Sequence, residues 1–283
     1  MMSLIDLSRR AVARWRHPGP VVAVLRLDGV IGGRGRRGLT LRRYAGALER
    51  AFRQRRLKGV ALAINSPGGS AAQSQLLYRR IRQLADESGV PVFAFAEDVA
   101  ASGGYWLALA ADEVYAEETS LVGSIGVVSA GFGLAQVLAR LGIERRLYTA
   151  GENKSLLDPF LPEKPRDVER VGALQRDLHD SFKALVRARR GARLKGDDET
   201  LLSGDIFTGR RALAAGLIDG IGELRGVMRA RFGAEVRLKP IEPQRQGFSF
   251  LPFRRPRTPA VADLVADVAS WIEDRAIWAR FGL

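Results

Sequence analysis

The 283-residue chain contains no cysteine and only two histidines, His17 and His179. Without cysteine there is no disulfide framework, no thiolate metal site and no cysteine nucleophile. Two histidines are too few for a histidine-rich metal centre, and the surroundings of both argue against a His-based triad. Any hydrolytic chemistry therefore needs a base other than imidazole. No run of about 18 apolar residues occurs, so no membrane-spanning helix is expected. Acidic residues are the minority charge: 31 Asp and Glu stand against 45 Lys and Arg, a formal net charge of +14. A field of that sign favours anionic partners such as lipid headgroups or nucleic acid. Arginine spread over solvated helix faces is the simpler account. Aromatic-rich RNA motifs, helix-turn-helix signatures and zinc patterns are all missing, so no specific nucleic-acid partner, metal or cofactor is expected.

With 46% hydrophobic and 27% charged residues, the composition is that of a globular protein with a sizeable core. Residues 1–20 form a basic leader without the apolar stretch or cleavage site of a secretory signal. Its Leu4, Ile5, Leu7, Val12 and Trp15, mixed with Arg9, Arg10, Arg14 and Arg16, suit an amphipathic helix on a membrane surface or on a partner protein. These features predict a cytoplasmic or peripherally membrane-associated protein.

Behind the His17-Pro18-Gly19-Pro20 break, periodicity predicts a strand over 21–27 and a Gly-rich turn through Gly32, Gly33 and Gly35. A helix over 39–57, a strand over 60–65 and a helix over 73–84 follow. Further along are a strand over 92–96, a helix over 103–110, strands over 113–116 and 125–129, a helix over 133–141 and a strand over 143–149. The alternation argues for an α/β fold with mostly parallel strands. Leu174, Leu178, Phe182 and Leu185 mark one long helix from Pro165 to about Arg190. Shorter helices are predicted over 210–215 and 222–232, before a strand near Val236. The folded domain spans 21–239, a Pro/Arg-rich linker 240–259, and an amphipathic tail helix 260–283 with Leu264, Val268, Trp271, Ile272, Ala276 and Trp278 on its apolar side.

Three segments exceed what a core requires. Asn65-Ser66-Pro67-Gly68-Gly69-Ser70 lies between a strand and a helix, where paired glycines let backbone N–H groups face an incoming oxygen. An ordinary turn would use the same residues. In Ala100-Ala101-Ser102-Gly103-Gly104-Tyr105-Trp106, Ser102 stands at the start of a helix, as a plain N-cap or as a nucleophile whose developing charge the Gly103 N–H would favour. The pattern is not the Gly-x-Ser-x-Gly elbow of α/β-hydrolases. Glu97 and Asp98 precede this loop and read as solvated loop residues or as groups shaping the site. The third segment, Gly151-Glu152-Asn153-Lys154-Ser155, is followed by apolar and proline residues. Lys154 is either a solvated loop lysine or a base. To take a proton from serine its pKa must fall from about 10.4 to near 7, at a cost of roughly 4–5 kcal/mol that burial among apolar groups supplies.

These segments, with Val122-Gly123-Ser124-Ile125-Gly126-Val127, resemble in order and spacing the signal peptide peptidase A family of serine peptidases, peptidase family S49. Ser124 lies 22 residues and Lys154 52 residues after Ser102. Phe207-Thr208-Gly209-Arg210-Arg211-Ala212 and Ala215-Gly216-Leu217-Ile218-Asp219 resemble a later family segment, and the resemblance covers about residues 21–235. It implies a ClpP/crotonase-like spiral of β-β-α units. It also implies a Ser-Lys dyad, with Ser102 as nucleophile, Lys154 as general base and acid, and Ser124 holding the lysine by a hydrogen bond. An oxyanion hole would come from Gly68 or Gly69 with Gly103. The implied substrates are short or unfolded peptides such as signal-peptide remnants, with small and apolar side chains near the bond. The implied assembly is a ring-like homo-oligomer, up to an octamer, with the dyad shared between neighbouring chains and the tail capping a neighbour or filling a substrate groove. Two other readings stay open: a crotonase-like acyl-CoA enzyme, which would not need Lys154, and a catalytically silent assembly module that docks on membranes.

Overall fold

A computed structural model of the protein describes residues 19–33, 38–243 and 274–283. The leader over 1–18, Gly35, the linker beyond 243 and the tail up to 273 lie outside the described residues.

Eight strands form one sheet: β1 (Val21–Asp28), β2 (Leu57–Ser66), β3 (Val92–Ala101), β4 (Glu113–Ala116), β5 (Leu121–Gly123), β6 (Ile206–Thr208), β7 (Gly220–Ile221) and β8 (Arg237–Pro240). The main path runs β6-β5-β3-β2-β1-β8, and β4 pairs with β3 and β7. Among the described residues, only the β5–β6 pair is antiparallel. Parallel neighbours need crossover connections. Here α1 (Leu41–Phe52) joins β1 to β2, and α2 (Ala71–Ser88) joins β2 to β3. Both helices start where a side chain can stand in for the missing turn: Thr40 Oγ1 accepts from the Arg43 amide at 3.4 Å and Ser70 Oγ from the Gln73 amide at 3.3 Å. Gly89, in the left-handed region at φ 63°, ends α2.

The central strands are covered on both faces, which explains their nearly continuous apolar sequence. On one face Leu25, Leu27, Leu62 and Ile64 pack in a core with Leu48, Leu77 and Ile81 from α1 and α2. On the other, Val22, Ala61, Phe93 and Phe95 meet Met228. Removing a side chain such as Phe93 from water stabilises the fold by about 1.5–3 kcal/mol.

Past β3 come the short α3 (Gly103–Ala108), α4 (Ala135–Arg140) and the 26-residue α5 (Pro165–Arg190). Beyond them lie α6 (Asp198–Leu201), α7 (Gly209–Ala214) and α8 (Leu224–Phe232). The C-terminal half of α5 is anchored: Phe182 and Val186 are buried, and the Phe182 ring stacks on Trp106 with centroids 4.6 Å apart. Its last turn is tied by charge, since buried Arg190 donates to Asp219 Oδ2 at 2.7 Å and to the Gly216 carbonyl at 2.8 Å. Asp219 also accepts from the Val114 amide at 2.8 Å and from Arg193 at 3.2 Å, so the Ala215–Asp219 segment serves as a structural knot. Burial pushes the Asp219 carboxyl upward, but the Arg190 hydrogen bond, the Val114 amide and the two guanidinium charges outweigh it and hold it below the usual carboxylate range.

Four expectations are corrected. No strand forms over 125–129; the strand is β5, over Leu121–Gly123, and the chain leaves it at Ser124, whose φ of 50° is incompatible with an extended run. The Gly126 amide then closes back on the Ser124 carbonyl at 2.9 Å, a three-residue turn. Residues 143–149 form no strand either, because no neighbouring strand lies alongside them and all are exposed. Leu174 and Leu178 are 56% and 43% exposed, so the first half of α5 leaves the core instead of facing it. Glu97 and Asp98 stand on β3, not on a loop. At the other end of the chain, residues 274–279 are helical, and Trp278, Phe281 and Leu283 line cavities beside Arg26, Asn65 and Asp98.

Candidate active site

Ser102 sits where β3 ends and α3 begins, held by two backbone hydrogen bonds. Its amide donates to the Gly123 carbonyl at 2.8 Å, which ties it to the end of β5, and its carbonyl accepts from the Trp106 amide at 3.0 Å. Its φ of 51° is a left-handed value that costs a serine about 1–2 kcal/mol and persists only where the surroundings impose it. Although Ser102 occupies the N-cap position, its side chain makes no capping hydrogen bond. The hydroxyl is therefore left for other chemistry. Below it, the Gly103 amide at the first helical position has no hydrogen-bond partner among the described residues.

The approach to Ser102 depends on Asn65. Ile64 pairs with Ala96, yet Ser66 pairs with Ala100, so β3 carries two extra residues at this point. Asn65 bridges the irregularity, accepting from the Val99 amide at 3.2 Å and donating to Asp98 Oδ2 at 3.1 Å. Glu97 is paired with Arg26 at 2.7 Å. Both acidic residues thus have partners that hold the end of β3. Ser66, fully buried, donates to the Gly29 carbonyl at 2.7 Å and accepts from the Gly68 amide at 3.3 Å.

Gly68 packs directly against Ser102. A Cβ at position 68 would stand 2.7 Å from the Ser102 Cβ, 3.0 Å from its Oγ and 2.8 Å from the Gly103 nitrogen, and φ there is 102°. Glycine is required on both counts. The Gly68 carbonyl turns away and accepts from Ile31 at 2.8 Å, while Ser70 donates to the Ile31 carbonyl at 2.8 Å, so the Gly68-Gly69 turn is pinned from outside. The Gly69 amide makes no hydrogen bond among the described residues.

Ser124 occupies the corresponding place at the end of β5, one residue beyond the Ala101–Gly123 pair. It is 9% exposed, shares the left-handed conformation of Ser102 and donates its amide to the Asp205 carbonyl at 2.7 Å. Ser102, Ser124, Gly68, Gly69 and Gly103 are thus gathered at the same ends of β2, β3 and β5.

Lys154 is placed differently. It is exposed, on a run of turns over 151–157, with its amide bonded to the Gly151 carbonyl at 3.3 Å. No hydrogen bond joins it to Ser102 or Ser124 within the described chain. Its neighbour Asn153 accepts from Arg170 of α5, and the following segment is held by Asp158, which accepts from Arg145 at 3.0 Å and the Phe160 amide at 2.9 Å. Among the described residues, nothing provides the shielding expected for this lysine.

Sequence reasoning missed Asn65, Ser66 and Asp205 as supports of the site. Asn65 and Ser66 lay inside a motif already noted, but Asp205 carries no local signal. Among the described residues no group of His, Asp or Glu is arranged to hold a metal ion, and no helix is long and apolar enough to cross a membrane.

The chain is 47% identical over 287 residues to a protein of Brucella abortus named Na(+)/H(+) antiporter NhaA; the match covers 98% of the chain and 39% of that protein. It is 33% identical over 221 residues to the chloroplastic serine protease SPPA of Arabidopsis thaliana, covering 76% of the chain and 31% of that protein. The chain therefore spans well under half the length of these relatives. Among solved structures, a lysine-to-alanine variant of a membrane-bound stomatin-specific protease, in complex with a substrate peptide, superposes with a TM-score of 0.50 at 14% identity, over 90% of this chain and 99% of that one. That likeness establishes the ClpP/crotonase-like fold. Residues 85–236, which include Ser102, Ser124 and Lys154, match the sequence model of peptidase family S49, and the chain belongs to that family.

Proposed function

We propose that the protein is a serine endopeptidase whose nucleophile is Ser102 and whose general base is Lys154. The observation that carries this reading is the uncommitted Ser102 hydroxyl at the start of α3, with Gly68 against it and the Gly103 amide unpaired beside it. In the reaction, neutral Lys154 Nζ takes the Ser102 proton as Oγ bonds to the substrate carbonyl carbon. The oxyanion is met by the Gly103 amide together with an amide of the Gly68-Gly69 pair. The lysine then hands its proton to the departing amine as the C–N bond breaks. Water hydrolyses the acyl-enzyme by the same route, returning the proton to Ser102. Ser124 orients the lysine amine by a hydrogen bond.

Because Lys154 is exposed among the described residues, the dyad is completed by a second copy, whose surface shields the amine from water. Exposed apolar residues of the same segment, 127–164, fit that role: Phe132 is 86% and Tyr148 90% exposed. The substrates are short or unfolded peptides, signal-peptide remnants among them, with small and apolar side chains near the cleaved bond. The working form is a homo-oligomer.

The test is a mixing experiment with a quenched fluorogenic peptide or casein. Ser102→Ala and Lys154→Ala should each be inactive alone, with a loss on the order of 10⁴-fold or more in kcat. Mixed and reassembled, they should regain part of the activity, since some sites then combine an intact serine with an intact lysine. Retention of cleavage by either single variant would refute the dyad. Two dead variants that stay dead when mixed, in particles that demonstrably exchange subunits, would refute the shared site alone.

A further inference from the structure

His179 stands on α5 with a single ring nitrogen, Nε2, facing two backbone carbonyls: Ile125 at 2.8 Å and Leu202 at 2.7 Å. Carbonyls only accept, so Nε2 must carry the hydrogen and share it between them. The two acceptors belong to the two loops that frame Ser124. Ile125 directly follows Ser124 and forms the tip of its turn. Leu202 opens the stretch that ends at Asp205, whose carbonyl takes the Ser124 amide at 2.7 Å. A third contact joins the same loops: Gly126 and Gly204 lie back to back, and a Cβ on Gly126 would stand 3.1 Å from the Gly204 Cα. Ser124 itself is held at φ 50°, a conformation that serine keeps only where its surroundings impose it.

We infer that His179 is a positioning residue for this peptidase: its Nε2–H clamps the Ser124 turn to the 202–205 loop and so fixes the hydroxyl that orients the lysine amine. The inference rests on the role proposed above for Ser124. His179 has no hydrogen bond to Ser102, and its effect on chemistry passes through the two carbonyls. A histidine that merely satisfied two buried acceptors would contribute stability and leave turnover alone. A positioning residue is expected to lower kcat while KM stays put, because the substrate-binding surface is unchanged and only the alignment of the reacting groups is lost.

The experiment uses the full-length protein and the fluorogenic peptide, with kcat, KM, thermal midpoint and particle size measured together. His179→Leu removes the donor. His179→Gln offers an amide N–H at a similar reach, and His179→Asn keeps the polarity but falls short of the carbonyls. His179→Leu and His179→Asn should lose about tenfold to a hundredfold in kcat with KM within about twofold of the parent, and His179→Gln should recover most of that loss. Combined with Ser124→Ala, His179→Leu should add little, since both act through one hydroxyl. Parental kcat in His179→Asn, an equal loss in His179→Gln, or a double variant slower than Ser124→Ala by the full single-variant factor overturns the inference. If His179→Leu fails to fold, the Asn and Gln pair decides it. Should Ser102→Ala or Lys154→Ala still cleave, the dyad is wrong whatever His179 does. If both are dead while the His179 variants match the parent, the dyad stands and this inference alone falls.

Discussion

The sheet body around Ser102 and the excursion from 127 to 164 that carries Lys154 are built by opposite rules. In the body, Val99, Ala100 and Ala101 are buried, Ser102 is fixed through its own amide and carbonyl, and Gly68 fills the space beside it. In the excursion, Phe132, Leu141 and Tyr148 face solvent, and the segment is held by a few exposed polar contacts such as Arg145 to Asp158. Surface ion pairs of that kind contribute about 0–1 kcal/mol each. One half of the proposed site is preorganised by a core, and the other half awaits a surface to lie on. The difference teaches where substitutions will act: in the body they break chemistry or fold within one chain, and in the excursion they act through assembly.

The largest effect expected within the body is at Gly68. Gly68→Ala forces a methyl group against Ser102 Oγ and the Gly103 amide in a backbone region that favours glycine. Loss of one properly placed oxyanion donor lowers kcat by about 10²–10³-fold, and at least that loss is expected here, measured as peptide turnover at saturating substrate. Subunit exchange with Lys154→Ala should restore part of the activity, because some sites then pair the intact serine side of a Lys154→Ala chain with the intact lysine of a Gly68→Ala chain. Parental turnover in Gly68→Ala alone would mean that the Gly68 contact is dispensable.

The next effect is on stability, at the knot that closes the body. Asp219→Asn removes the charge that Arg190, buried at 4% exposure, depends on, and one Arg190 nitrogen, Nη2, already lacks a partner among the described residues. A loss of about 2–4 kcal/mol is expected, read as the shift in denaturant midpoint at constant slope. The pH dependence follows from the depressed carboxyl. With its folded value below the ordinary one near 3.9, the Asp219 contribution is complete above that pH and disappears as the pH falls through the folded value. The parent should therefore lose stability on the acid side more steeply than Asp219→Asn. Parallel acid-side curves would show that the carboxylate is not what ties α5 to the body.

The same division explains what could be read in the sequence. Strand 113–116 and helix 165–190 match their predicted limits, because continuous apolar runs and helical spacing are local properties of buried elements. The clusters holding Gly68 and Ser102 were legible because a glycine or serine at a strand-to-helix junction with small neighbours stands out in the chain, whereas Ser124 was named only through the family resemblance. The strand expected over 143–149 fails because alternation alone cannot supply a partner edge. His179 was invisible as a support of the site because its acceptors lie 54 and 23 residues away and both are main-chain atoms, which leave no trace in residue identity.

The smallest effect on the single chain is expected in the excursion, and it is the sharpest test of the contrast. Phe132→Ser and Tyr148→Ser replace rings that are 86% and 90% exposed, so neither removes a buried contact. Substitutions at such positions usually change stability by less than about 0.5 kcal/mol. Thermal unfolding of dilute, dissociated protein should hardly register them. If a second copy covers these rings, the same variants weaken assembly, and activity falls most at low protein concentration, where association limits the number of complete sites. Sedimentation and peptide turnover followed across a dilution series read both quantities on one sample. Turnover per chain that stays parental at every concentration would mean that the exposed apolar residues are not what the proposed partner covers. The burial required by Lys154 would then have to come from another face.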